Sequence, residues 1–125
     1  MTYFDVPEEK AITAYKGMRV TQDGSMYCAP AGERYFYEIG HSYHEPRVHM
    51  CVSGFHCCLL MADVLAYYPC TDLRAYVEVK IWGALNVGTN KIAAEYIHIV
   101  KRVNPFDVHA QQNALFDRYS AILSS

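Results

Sequence analysis

The run LRAYVEVKI at residues 73–81 constrains the fold more than any other stretch. Leu73, Ala75, Val77, Val79 and Ile81 share one parity, and Arg74, Tyr76, Glu78 and Lys80 share the other. Side chains of a strand alternate between faces, so this pattern implies a sheet with one face on a core and one face wet or functional. At 125 residues the chain is long enough to bury such a core as one domain, 1–125, without disulfide or metal staples.

The other segments read as partners for that strand. Residues 1–10 are a polar lead-in. In 11–20 (AITAYKGMRV) Ile12, Ala14, Met18 and Val20 share a parity, with Lys16 the exception, and a strand is expected. TQDG at 21–24 is a turn, since Asp tolerates turn geometry and Gly supplies positive φ. MYCA (26–29) reads as a short return strand and RYFYEI (34–39) as an aromatic one. HSYHEPR (41–47) is polar and ends in a proline break. Residues 48–52 resume as a strand, Ser53-Gly54 turns, and 55–57 briefly continue. CLLMADVLAYY (58–68) has helical spacing and stops at Pro69. Trp82-Gly83 ends the alternating strand, and 84–90 form a loop. Residues 92–103 favour a strand at their centre and allow a helical turn before it. Residues 106–123 read as a terminal helix, with Phe106, Val108, Ala110, Leu115, Tyr119 and Ile122 apolar. The expectation is an α+β fold: five or six mostly antiparallel strands, a central helix and a C-terminal helix.

Charge narrows the function classes. Eleven basic and 13 acidic residues leave a formal net charge of −2. This is too balanced for a generic nucleic-acid binder and too weak for a DNA mimic. Nucleic acid is therefore not expected as a partner. No run approaches the roughly 18 apolar residues of a membrane span, and MTYFDVPEEK lacks the basic, apolar pattern of a secretory signal. A cytoplasmic protein with reduced thiols is expected from its five cysteines. Eleven tyrosines, each with an apolar body and a polar tip, suit half-buried sheets, interfaces and self-association.

VHMCVSGFHCC (48–58) gathers three cysteines and two histidines. The simplest reading is architectural, with small buried thiols beside core histidines, no metal and no cofactor. One alternative pairs His49 and Cys51 with His56 and Cys58 across the Ser53-Gly54 turn as a tetrahedral zinc site. Another makes Cys57 or Cys58, just before a helix, a nucleophile. A third is an NAD-dependent ADP-ribosyltransferase-like enzyme: AYKGM and SGFHCC echo that layout, and Glu78 would be the acid beside Tyr76 and Arg74. Lys16 then stands where an Arg or His is usual. Phosphate-binding glycine loops, GxSxG and HExxH are all absent.

The order AYKG, YEIGHSYH, VHMCVSGFHCC, DVLAYYP, RAYVEVKIWG and NKIAAEYIHIV resembles an uncharacterised-domain family. That family occurs in small phage and prophage proteins and at the front of some pentapeptide-repeat proteins. The resemblance covers 11–103 and leaves 104–125 outside. It implies no catalytic residue. It implies a phage or prophage accessory protein in the host cytoplasm that binds a host or defence-system protein, as an anti-CRISPR-like inhibitor does.

Overall fold

The computed structural model describes residues 2–29, 32–50, 53–71 and 73–124. Within these the chain forms β1 (Thr2–Val6), β2 (Ile12–Val20), β3 (Met26–Cys28), β4 (Tyr35–Tyr37), β5 (Ser42–His44), β6 (Phe55–Cys57), α1 (Met61–Tyr67), β7 (Arg74–Val87), β8 (Ile92–Arg102) and α2 (Pro105–Ser124). All eight strands join one antiparallel sheet, against the five or six expected.

The sheet is built on the β7–β8 hairpin. Its strands run 14 and 11 residues, long enough for each to take two further partners. β7 pairs β2 along its first half and β1 along its second. β8 pairs β6 at 92–94 and β5 at 96–98. The path runs β4-β3-β2-β7-β8-β5.

Four sequence expectations change at this step. The lead-in contains β1, an edge strand whose side chains are mostly exposed and so carry no burial pattern. HSYHEPR contains β5, which is likewise mostly exposed. Trp82-Gly83 does not end β7. Gly83 adopts φ +79° where the register shifts between Trp82 and Leu85, and the strand resumes to Val87 through the expected loop. A glycine inside a strand marks a bulge as readily as an end. The strand expected over 48–52 is absent at Val48. His49 and Ser53 instead make an isolated bridge, while Cys51 and Val52 lie outside the described residues.

The alternation in β7 holds. Ala75, Val77, Val79 and Ile81 are at most 1% exposed. Leu73 does not join them; it precedes the strand and stands 68% exposed. With Ala14, Met18, Leu85, Ile97 and Ile99 these residues form the main core. The sheet covers this core by curling. Tyr37 of β4, Tyr43 of β5 and Phe55 of β6 meet ring to ring, with centroids 5.1 and 6.2 Å from Tyr37. Past β4, the Gly40 N–H donates to the Ile99 carbonyl of β8 at 2.7 Å, next to the β5–β8 pairing. Burying each such aliphatic side chain contributes about 1.5–3 kcal/mol.

Lys16 is no exception to the parity of β2. It faces the main core, 7% exposed. Its ammonium donates to the His56 carbonyl at 2.5 Å and lies 5.8 Å from the Tyr37 centroid.

The opposite face carries a second, smaller core of Cys58, Met61, Val64, Tyr76 and Val108, flanked by Tyr15 and Tyr68. Here α1 rests on the sheet. Its ordered turns begin at Met61 rather than Cys58, because Cys58 is held by paired backbone bonds to Tyr15 of 2.8 and 2.9 Å. The side chain of Gln112 in α2 closes the entry: Met61 N–H donates to its Oε1 at 2.8 Å, and its Nε2 donates to the Leu59 carbonyl at 3.0 Å.

Candidate functional site

Arg74, Tyr76 and Glu78 share the helix-bearing face, as the alternation demands, but they do not converge. Tyr76 is 4% exposed beneath α1, and its hydroxyl donates to the Tyr68 carbonyl at 2.6 Å. The Arg74 guanidinium lies 5.3 Å from the Tyr68 ring centroid. Glu78 sits opposite Tyr15 and Lys101 in the register. Burial and then the Glu78 charge push the Tyr15 hydroxyl above its ordinary pKa. Lys80 turns to Thr13 instead, donating to its hydroxyl at 2.5 Å. Lys16, the first-strand cation of the transferase reading, lies on the opposite side of the sheet from Glu78.

The Cys/His stretch divides between the two cores. Phe55 and Cys57 enter the main core, and Cys58 enters the helix-side core. Burial pushes the Cys57 thiol up to about 12 and the Cys58 thiol up to about 11. That is the reverse of what a nucleophilic cysteine requires. Burial first, then Lys16 and Lys91, lower His56 to about 4. His49 is exposed, and Cys51 lies outside the described residues. Among the described residues no three His, Cys, Asp or Glu side chains gather to hold a metal ion.

Two exposed arrangements escaped the sequence reading. The first is a ladder of rings across β7, β8 and β5. Trp82 and Tyr96 stack at 5.3 Å with planes 3° apart, and Tyr96 and His44 stack at 4.2 Å and 16°. Beside them Glu95 accepts from the Ala84 N–H at 2.9 Å and pairs with His44 Nε2 at 2.9 Å. These two bonds hold the Glu95 carboxyl below its ordinary value. A shallow depression of about 390 Å³ opens between Trp82, Tyr96, His44 and Glu8.

The second arrangement crosses the other end of the same face. In the register Arg74 stands opposite Arg19, Arg19 opposite Tyr27, and Tyr27 opposite Phe36. The Arg34 guanidinium stacks 4.7 Å from the Tyr27 centroid, and Tyr27 and Phe36 pack at 5.4 Å. Phe36 is 46% exposed. Tyr27, Arg34, Phe36 and Leu73 line an open groove of about 710 Å³. Its rim includes the 21–25 turn, where Thr21 and Ser25 both donate to Asp23 and lower its carboxyl to about 2. Alternation in β2 and β7 places Arg19 and Arg74 on the polar face. Only the β2–β3–β4 register brings them into line with the aromatics. The Arg34 guanidinium and two rings, with Arg19 in the same row, offer a cationic, aromatic contact surface on a chain of nearly balanced charge.

The apolar members of α2 are mostly uncovered. Pro105 and Val108 are its buried residues, whereas Leu115, Phe116, Tyr119, Ile122 and Leu123 are 54–82% exposed. No described helix is long and apolar enough to cross a membrane.

Residues 12–111 match the domain of unknown function DUF7666, a span that takes in the sheet from β2 onward, α1 and the first turns of α2. No curated protein and no solved structure matches the chain. With 12–111 of its 125 residues accounted for by that domain, the chain belongs to the DUF7666 family.

Proposed function

We propose that the protein acts by binding another protein, with the arginine–aromatic groove on β2–β4 as its contact surface. The supporting observation is the ordered cluster of Arg34 on Tyr27 and Tyr27 on Phe36, with Arg19 in the same row and Leu73 exposed beside it. Tyr and Arg are the side chains that most often carry interface energy. Stacking fixes them before the partner arrives, which lowers the ordering cost of association. The guanidinium groups select a partner surface that combines carboxylates with apolar side chains. The resemblance to phage and prophage proteins supplies the finer reading: the partner is a host or defence-system protein, and binding occludes a surface it needs.

The test is retention of host-lysate proteins on immobilised wild type and on Arg34→Ala/Phe36→Ala. Both residues are exposed, so the thermal midpoint is expected to stay within a few degrees. Loss of two contacts of this type is expected to weaken retention of a specific protein by about 10-fold or more. Equal retention by the two forms would remove the groove from the proposal. No protein retained above a scrambled-sequence control would remove the binding reading itself.

A further inference from the structure

We infer that α2 is a dimerisation helix and that its occupant is a second copy of this chain, paired antiparallel about Tyr119. The inference concerns a surface separate from the groove and stands without it.

The first observation is an unmatched length. At 1.5 Å per residue, the seven residues of α1 reach about 10 Å and the 20 of α2 about 30 Å. One apolar stripe runs the length of α2. Its first turns meet α1 and the sheet through Pro105, Val108 and the Gln112 clasp. Beyond Gln112 the stripe continues past the end of α1 and is uncovered. An isolated helical segment of this length is marginal in water, and its stability comes from packing an apolar face.

The second observation selects the occupant. Leu115, Phe116, Tyr119, Ile122 and Leu123 are spaced −4, −3, 0, +3 and +4 about Tyr119. A two-fold interface uses the same patch on both chains and so must be self-complementary. This spacing reads the same in both directions. An antiparallel pair centred on Tyr119 sets Leu115 and Phe116 of each copy against Ile122 and Leu123 of the other, with the two Tyr119 rings meeting on the axis. Every apolar residue of the stripe then finds an apolar partner. The charged residues of this segment, Asp117 and Arg118, fall off the stripe at 100° per residue, so no charge is buried.

The third is area. These five side chains expose roughly 600 Å² per copy, or about 1,200 Å² in a pair, the lower end of what a specific interface buries.

Sedimentation velocity of the full chain over a concentration series tests this. The expected result is a mass rising toward twice the 14.3 kDa of one chain. Tyr119→Glu should stay at the monomer mass with the sheet signal of the circular dichroism retained, since Tyr119 is 60% exposed and belongs to neither core. Tyr119→Cys in a Cys70→Ser background should form a disulfide-linked dimer under mild oxidation, whereas Asp117→Cys, off the stripe, should not. A monomer at all concentrations overturns the inference, as does a dimer unaffected by Tyr119→Glu. Cross-linking that is equal at positions 117 and 119 also overturns it. A monomer whose α2 stripe instead captures a different protein would assign the helix to that protein and likewise reject the second copy.

Discussion

Three residues show how local chemistry is set by neighbours distant in sequence. Lys16 keeps its ammonium in the main core through one carbonyl and one aromatic face. His56, which supplies that carbonyl, has its own ring held near 4 by burial and by Lys16 and Lys91. Its folded pKa therefore lies below the ordinary 6.5. Above pH 6.5 the ring is neutral in both states and contributes no pH dependence. As pH falls from 6.5 toward 4, the unfolded chain takes up a proton that the folded chain resists, and stability is lost across that window. Urea titrations at pH 7 and pH 4.5 should show His56→Gln losing about 1–2 kcal/mol less than wild type, a figure reduced for the ring's partial exposure. Identical losses would remove His56 as a source of acid sensitivity. Gly83 is the third case. A Cβ there would stand 2.7 Å from both Glu95 Oε1 and Tyr96 Cδ2, on a backbone at φ +79°. Gly83→Ala is expected to cost about 2–3 kcal/mol by urea unfolding. A change under about 0.5 kcal/mol would mean the bulge relaxes freely.

Among the elements, strands with one buried face were legible and strands without one were not. β2 and β7 carry alternation because one side meets the core, and Ala75 to Ile81 follow it residue by residue. β1 and β5 are edges with little burial, so no pattern marked them. β8 looked ambiguous because Ala93 and Ala94 allow helix; they are small because both lie fully buried between β7 and β6. The helix entry was misplaced by three residues because the backbone of Cys58 is committed to Tyr15. What starts α1 is Gln112, 51 residues away from Met61, which takes the place of a local N-cap. Gln112→Ala should leave one N–H and one carbonyl without their partner and lower stability by about 1 kcal/mol. Because the same bonds join the two helices, faster amide exchange should appear in α1 and in the first turns of α2 together. Exchange confined to α2 would mean that the clasp does not hold α1.

Over the whole molecule, two faces of one sheet divide the work. The curled face builds the main core from eight strands, and the outer face carries α1, the Trp82–Tyr96–His44 ladder and the arginine–aromatic groove. The Cys/His stretch reads as chemistry in one dimension. In three it is partitioned, because successive residues of a strand leave on opposite sides: Cys57 goes inward to one core and Cys58 to the other. By itself the sequence determined a mostly antiparallel α+β fold, the facing of Ala75 through Ile81, and the presence and order of a central and a C-terminal helix. These follow from periodicity, which is local. Tertiary structure alone decided which exposed side chains become neighbours. Arg34 meets Tyr27, Tyr27 meets Phe36, and His44 meets Tyr96 through strand register, and register is fixed by burying the opposite face of the sheet.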